Sequence, residues 1–322
     1  MHSHLISRKH LETVIEQAQN LGLVAVKFTG GEPCLHPELE AMLQFACSRG
    51  ISVSLETNGT MLNERIVDSL ARREDPMVAV SLDGSMSSTH ESIRGSLGSF
   101  DRACESIESL ATRGIHVQVI MSLLRSNKEE VSSLVDLATN LGASSVAVNV
   151  VQPMMRGVQV HSSELGLTIH ELVEFGQWVE AQSCWQIPVF YGHPLAFWPL
   201  PRLFQSSAAG TGCGILTTLG VLPDGSVGLC GIGAVLPAVV LGKPGHGDLA
   251  TIWRTHPLIT TLREGLPGRL KGICGSCTLK SACLGGCVGQ KYYTSGDFTE
   301  PSWYCQSAFE AGLFPSSRIM GQ

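Results

Sequence analysis

Charge is scarce in this chain. Asp, Glu, Lys and Arg make up 16% of its 322 residues, and with 28 acidic against 22 basic side chains the formal net charge is −6. Scattered, outnumbered Lys and Arg exclude the basic stripe by which a nucleic-acid binder holds phosphates, so no nucleic-acid partner is expected. Long hydrophobic runs are missing too. The longest apolar stretch, Ile232 to Leu241, is broken by Pro237 and is too short to span a bilayer. The N-terminal MHSHLISRKHLETVIEQ carries charge where a signal peptide needs an apolar core. No membrane partner is expected, and the default location is the cytoplasm. Disorder is excluded, because 43% of the residues are hydrophobic.

Cysteine is plentiful by contrast. The count is 11, an odd number in a large chain without an export signal, which favours metal or catalysis over disulfides. Cys34, Cys47, Cys104 and Cys184 are isolated, and Cys47, Cys104 and Cys184 read as small buried cysteines in helices. The other seven, Cys213, Cys230, Cys274, Cys277, Cys283, Cys287 and Cys305, crowd into the last third.

The first half alternates between two hydrophobic periods. Leu11, Val14, Ile15, Ala18 and Leu21 share a helical face, and Leu23–Phe28 then reads as a buried strand. Pro37 opens a helix that stops at Gly50, and strand Ile51–Leu55 follows. Helices are expected over about 62–73, 99–113 and 128–141, with strands at Met77–Leu82, Ile115–Met121 and Ser145–Val151. Such βα repetition implies a parallel sheet or barrel, and ligands then bind beyond the carboxyl ends of the strands. Those places hold Thr29-Gly30-Gly31-Glu32-Pro33, Glu56-Thr57-Asn58-Gly59 and Ser81-Leu82-Asp83-Gly84. Each is a tight turn when taken alone, but three in register make a rim of small and polar groups.

Phe28–Pro33, Glu56–Gly59, Val80–Gly84, His90, Arg94-Gly95 and Gly98–Asp101 together resemble the core of a radical S-adenosylmethionine (SAM) enzyme, from about residue 5 to 157. The resemblance implies an α/β fold with a partial (β/α)6 TIM-like barrel. It also implies that Gly30, Gly31, Glu32 and Pro33 hold the amino group of SAM, that Ser81 contacts its ribose or carboxylate region, that Arg94 pairs with its carboxylate, and that Val150 lies along the adenine. Asn58 and Asp83 belong to the same implied site. The family's Cys-x3-Cys-x2-Cys triplet, which binds the catalytic [4Fe–4S] cluster, occurs nowhere in these residues. A missing upstream strand and triplet is the leading explanation, and a degenerate relative that keeps only auxiliary clusters is the alternative. Cys34 alone does not hold a four-iron cluster.

In the last third, Cys213 is followed by Gly225-x4-Cys230, with Pro223-Asp224-Gly225 reading as a hairpin turn, then by Cys274-x2-Cys277-x5-Cys283-x3-Cys287 and finally Cys305. A zinc ribbon wants two C-x2-C knuckles where this segment has one, and a ferredoxin run differs in its middle spacing. Spacing alone leaves iron–sulfur and zinc both open. The pattern is similar to the SPASM domain of radical SAM peptide-modifying enzymes, a small cysteine-rich α+β unit. That resemblance implies Cys213, Cys230 and Cys287 as ligands of auxiliary cluster I and Cys274, Cys277, Cys283 and Cys305 as ligands of auxiliary cluster II, both [4Fe–4S]. Cluster I then has three ligands, with an open iron unless Cys184 reaches it.

The implied organisation is a barrel over 1–160, a segment 161–212 that completes it and bridges onward, and a SPASM domain over 213–322. Trp178, Trp185, Tyr191, Phe197, Trp198 and Phe204 of the bridge read as core. The implied activity is a maturase that generates a 5′-deoxyadenosyl radical and makes an oxidative crosslink or dehydrogenation in a peptide or protein, with a flavodoxin or ferredoxin as reductant. Tetrapyrrole chemistry, sulfatase maturation and an inactive electron carrier are the alternatives. Gly231 stands where the sulfatase branch places an aspartate after the Gly-x4-Cys cysteine.

Overall fold

The structure is a computed structural model, and it describes residues 5–72, 75–182, 184–205, 213–244 and 248–321. Two compact units divide the chain: Met1–Asn149 with Ser183–Gly192, and Val150–Gln182 with His193–Gln322. The bridging segment 161–212 contributes to both, and its residues 183 and 206–212 lie outside the described residues.

The first unit is built on a six-stranded sheet in the order β1 (Ala25–Phe28), β2 (Ser52–Thr57), β3 (Met77–Ser81), β4 (His116–Leu123), β5 (Ser145–Val150) and β6 (Val189–Tyr191). The pairs β1–β2, β2–β3, β3–β4 and β5–β6 are parallel. Spatial order follows chain order without reversal, which is the winding of a barrel and not of a doubly wound sheet. On β4 the alternate residues Val117, Val119, Met121 and Leu123 are buried, as period-2 patterning requires.

Helices α1 (Arg8–Gln19), α2 (Leu39–Ser48), α3 (Glu64–Ala71), α4 (Ser87–Arg94), α5 (Ser99–Thr112) and α6 (Val131–Asn140) return the chain from one strand to the next. Ser7 and Asn63 cap α1 and α3 by accepting from the His10 and Ile66 amides. Leu43, Leu55, Ile107 and Leu134 are fully buried, each stabilising the fold by about 1.5–3 kcal/mol.

Three expectations need correction, and one helix goes beyond them. The run Leu23–Phe28 forms a shorter and more exposed strand than its apolar character suggested: β1 begins at Ala25, Val24 before it is 77% exposed, and among the described residues β1 pairs only with β2. Helix α4, of which only His90 is buried, has no apolar stripe, so hydrophobic periodicity gives no sign of it. Cys184 is exposed and lies outside any helix. Among the bridge aromatics, Tyr191 and Trp198 are buried, but Trp178 and Phe204 are exposed and are not core.

In the second unit β7 (Gly220–Val221), β8 (Val227–Gly228) and β9 (Val240–Gly242) form an antiparallel sheet. The β7–β8 turn runs through Pro223-Asp224-Gly225, with Gly225 at φ +81° and its amide donating to the Leu222 carbonyl. Among the described residues no helix is long and apolar enough to cross a membrane.

Candidate active site and metal centre

In the first unit, three carboxylates hold the loops that leave the strand ends. Glu32, after β1, accepts from the Cys34 amide at 3.0 Å, the Thr57 hydroxyl at 2.6 Å and the Asn58 amide at 2.7 Å. It therefore ties the Gly30–Pro33 loop to the end of β2. Glu130 accepts from the amide and hydroxyl of Ser85 and from the Thr89 hydroxyl. Asp83, 1% exposed, accepts from the Ser122 amide at 2.7 Å and pairs with Arg94 Nε at 2.6 Å. Asn127, fully buried, donates to the Asp83 and Ser122 carbonyls.

The groups this scaffold leaves open are the ones a polar ligand needs. Gly30 adopts φ +101°, and a Cβ there or on Gly31 would meet open space, so the backbone of both exposed glycines is approachable. Ser81 ends β3 half-buried, with no hydrogen-bond partner for its hydroxyl among the described residues. Arg94 gives Nε to Asp83, while its two Nη groups have no partner among the described residues. A guanidinium steadied by one carboxylate and free at its fork suits a ligand carboxylate. Asn58 is occupied locally, its Oδ1 accepting from the Thr60 amide and hydroxyl, and Val150 ends β5 buried.

Cys34 lies 3.5 Å from the Thr57 hydroxyl, and its thiol is pushed up to about 12, chiefly by burial, with Thr57 pulling the other way and Glu32 adding to the rise. It stays protonated and is a poor metal ligand.

His90 is 1% exposed, and its Nδ1 accepts from the Asp83 amide at 3.0 Å. Burial presses its pKa below 6.5; Asp83 pulls it up and Arg94 pushes it down. A depressed histidine pKa means that the unfolded chain binds the proton more readily, so this stabilisation is complete above 6.5 and declines as pH falls below it. Replacing His90 with glutamine should flatten the loss of urea-unfolding stability as pH falls below about 6.5, where one excess proton on the unfolded chain is worth at most about 1.4 kcal/mol per pH unit. Parallel slopes in the two proteins would refute a neutral buried His90.

In the second unit, Cys274, Cys277, Cys283 and Cys305 line one cavity, together with Pro194 and Phe314. Backbone amides point at three cysteine sulfurs: Ser302 to Cys274 at 3.3 Å, Leu279 to Cys277 at 3.4 Å and Gln290 to Cys287 at 3.4 Å. Such bonds suit sulfur that carries negative charge, as in metal-bound thiolates. Cys305 donates to Cys274, which makes Cys274 the more acidic of that pair. Cys230 forms a second group, close enough to Cys213 and Cys287 that their thiolates would raise its pKa, although burial raises it most.

All eleven cysteines are free thiols. Among the described residues no three His, Cys, Asp or Glu converge on a single metal ion. The four thiols line one cavity, a donor set that fits a four-cysteine cluster. Three residues that sequence reasoning missed also take part: Glu130 and Asn127 at the rim and Lys291 among the thiols.

Residues 3–138 match the family model described as the Radical SAM superfamily, and the chain therefore carries a radical SAM domain. S-adenosylmethionine and [4Fe–4S] clusters are the cofactors of that class. The Gly30–Pro33 loop, Ser81 and Arg94 fit the first, and the two thiol groups fit auxiliary clusters; the 322 residues contain no Cys-x3-Cys-x2-Cys run to supply the ligands of a catalytic cluster.

The chain is similar along most of its length to proteins of known activity. The AdoMet-dependent heme synthase of Methanosarcina barkeri is 29% identical over 307 residues, which cover 90% of this chain and 84% of that protein. Mycofactocin maturase MftC of Mycobacterium tuberculosis is 28% identical over 306 residues, 93% of this chain and 75% of its own. Among solved structures, Streptococcus suis SuiB bound to S-adenosylmethionine superposes with a TM-score of 0.75 at 19% identity, covering 94% of this chain and 70% of SuiB, a likeness of fold.

Proposed function

We propose that this chain belongs to a radical SAM maturase: it binds S-adenosylmethionine at the strand-end rim and holds two auxiliary [4Fe–4S] clusters, and it modifies a peptide or protein by oxidative crosslinking or dehydrogenation where a Cys-x3-Cys-x2-Cys triplet outside these 322 residues supplies the catalytic cluster. The observation that carries the reading is the gathering of Cys274, Cys277, Cys283 and Cys305 around one cavity in a chain that also has a radical SAM domain. Similarity to MftC over 93% of the chain supports a peptide substrate. In this reading 1–160 is the SAM-binding part, 161–212 the bridge and 213–322 the cluster domain. The Gly30-Gly31 backbone receives the amino group of SAM, Ser81 its ribose or carboxylate region, and the Arg94 fork its carboxylate, with Asp83 as the positioning group behind Arg94. Val150 lines the adenine, while Glu32 and Asn58 shape the loops. Cys213, Cys230 and Cys287 hold cluster I and the four cavity cysteines cluster II. The free thiols suit the reducing cytoplasm, where a flavodoxin or ferredoxin supplies electrons.

Similarity to the heme synthase favours a second reading, an iron-tetrapyrrole substrate. The test is anaerobic purification followed by metal analysis and equilibrium dialysis with SAM. The expected result is about eight irons per chain, from two four-iron clusters, and one SAM. Zinc in place of iron would overturn the cluster assignment. A shifted Soret band on titration with an iron tetrapyrrole would move the substrate to the second reading.

A further inference from the structure

Lys291 is the least expected residue in the second unit. It lies in the helix Val288–Ser295, four residues after Cys287, yet it is only 1% exposed. Its Nζ donates to the Leu284 carbonyl at 3.4 Å and has no carboxylate partner among the described residues. The turn it fills runs from Cys283 to Cys287 through Leu284, Gly285 and Gly286, all three in the left-handed region at φ +53°, +76° and +79°. Glycine at 285 makes room for the ammonium, since a Cβ there would stand 2.9 Å from Nζ.

A buried ammonium without a counter-charge is strongly unfavourable, so Lys291 keeps its charge here only beside anions. The turn it fills joins Cys283 to Cys287, one from each cysteine group, and Cys274 and Cys213 are also near enough to act on its charge when ionised. Burial presses the lysine pKa down, and those four thiols, once ionised, pull it back.

Building on the cluster reading above, we propose that Lys291 is a shared counter-cation of the two auxiliary clusters, placed between their cysteine ligands to raise the reduction potential of both. Adding one electron makes a cluster more negative, so a nearby positive charge stabilises the reduced form more than the oxidised one. Two clusters facing one cation are also coupled: reducing either increases the anionic charge that the same ammonium offsets.

The test compares wild-type, Lys291→Met and Lys291→Arg holoprotein, purified anaerobically, in redox titrations with dithionite followed by electron paramagnetic resonance. Each cluster takes one electron from the titrant. In K291M the reduced-to-oxidised ratio at a fixed potential should fall at least tenfold for both clusters, which is about 59 mV for a one-electron couple. K291R should stay near wild type. Full iron loading with unmoved potentials in K291M, or equal shifts in K291M and K291R, would overturn the proposal and leave a packing role. If K291M does not load iron, K291R decides: loading in K291R shows that the clusters need the charge, and failure in both shows that they need the lysine's shape and overturns the proposal. A wild-type protein without iron sinks the functional reading itself, whereas iron with unmoved potentials sinks only the role of Lys291.

Discussion

Replacing Asp83 with alanine is expected to destabilise the first unit by about 3 kcal/mol, the lower end of the cost of removing one partner from a buried ion pair. The carboxylate is 1% exposed, and its two oxygens serve different partners, one the Arg94 Nε at 2.6 Å and the other the Ser122 amide at 2.7 Å. Alanine removes both acceptors and leaves an amide unsatisfied behind a guanidinium whose side chain is only 31% exposed. Asp83→Asn separates charge from hydrogen bonding. An amide oxygen can still accept from Ser122, so this variant should lose roughly 1–2 kcal/mol in urea unfolding. Its SAM affinity should nevertheless fall about tenfold, because Arg94 is no longer held toward the rim. Unchanged SAM affinity in the asparagine variant would show that Arg94 does not meet the cofactor. Unchanged stability in the alanine variant would show that the pair is not formed.

That pairing also marks where the sequence stops being readable. Strands β2 to β5 and helices α1, α2, α3, α5 and α6 follow from apolar periodicity, because each βα unit buries one stripe against the sheet and shows it in the residue order. Helix α4 buries only His90, so periodicity has nothing to detect; Gly95 at φ +66° is its one local signal. Strand β6, three residues long, is too short to show a period. The apolar run that became β1 announced a strand but not its place at the edge of the sheet, since neighbours are a property of topology.

The candidate site divides the same way. Gly30, Ser81 and Arg94 are legible as small and polar groups after strands, and the seven cysteines as a spacing. What Asp83 does to Arg94, eleven residues away, depends on the strand and helix that bring them together. Lys291 reads as a solvated lysine until the neighbouring double glycine is noticed, since Gly285-Gly286 leaves a hollow that some side chain must fill.

The cysteine groups carry the other large prediction. Cys283 lines the cavity with Cys274, Cys277 and Cys305, whereas Cys230 sits with Cys213 and Cys287, and no cysteine belongs to both groups. Losing one thiolate leaves cluster I with two, too few to hold four irons, but leaves cluster II with three, the number that holds cluster I, and one iron without a protein ligand. Cys230→Ala is therefore expected to lower iron from about eight to about four atoms per chain, Cys283→Ala to lower it less, to between about four and about seven, and the double variant to lose the sum of the two. The single variants should also change different signals in electron paramagnetic resonance, because different clusters are affected. The result that counts against two separate sites is loss of all iron from either single variant, with circular dichroism showing the fold intact. Loss of no iron from Cys283→Ala would remove that residue from the ligand set, and the cavity would then need another explanation.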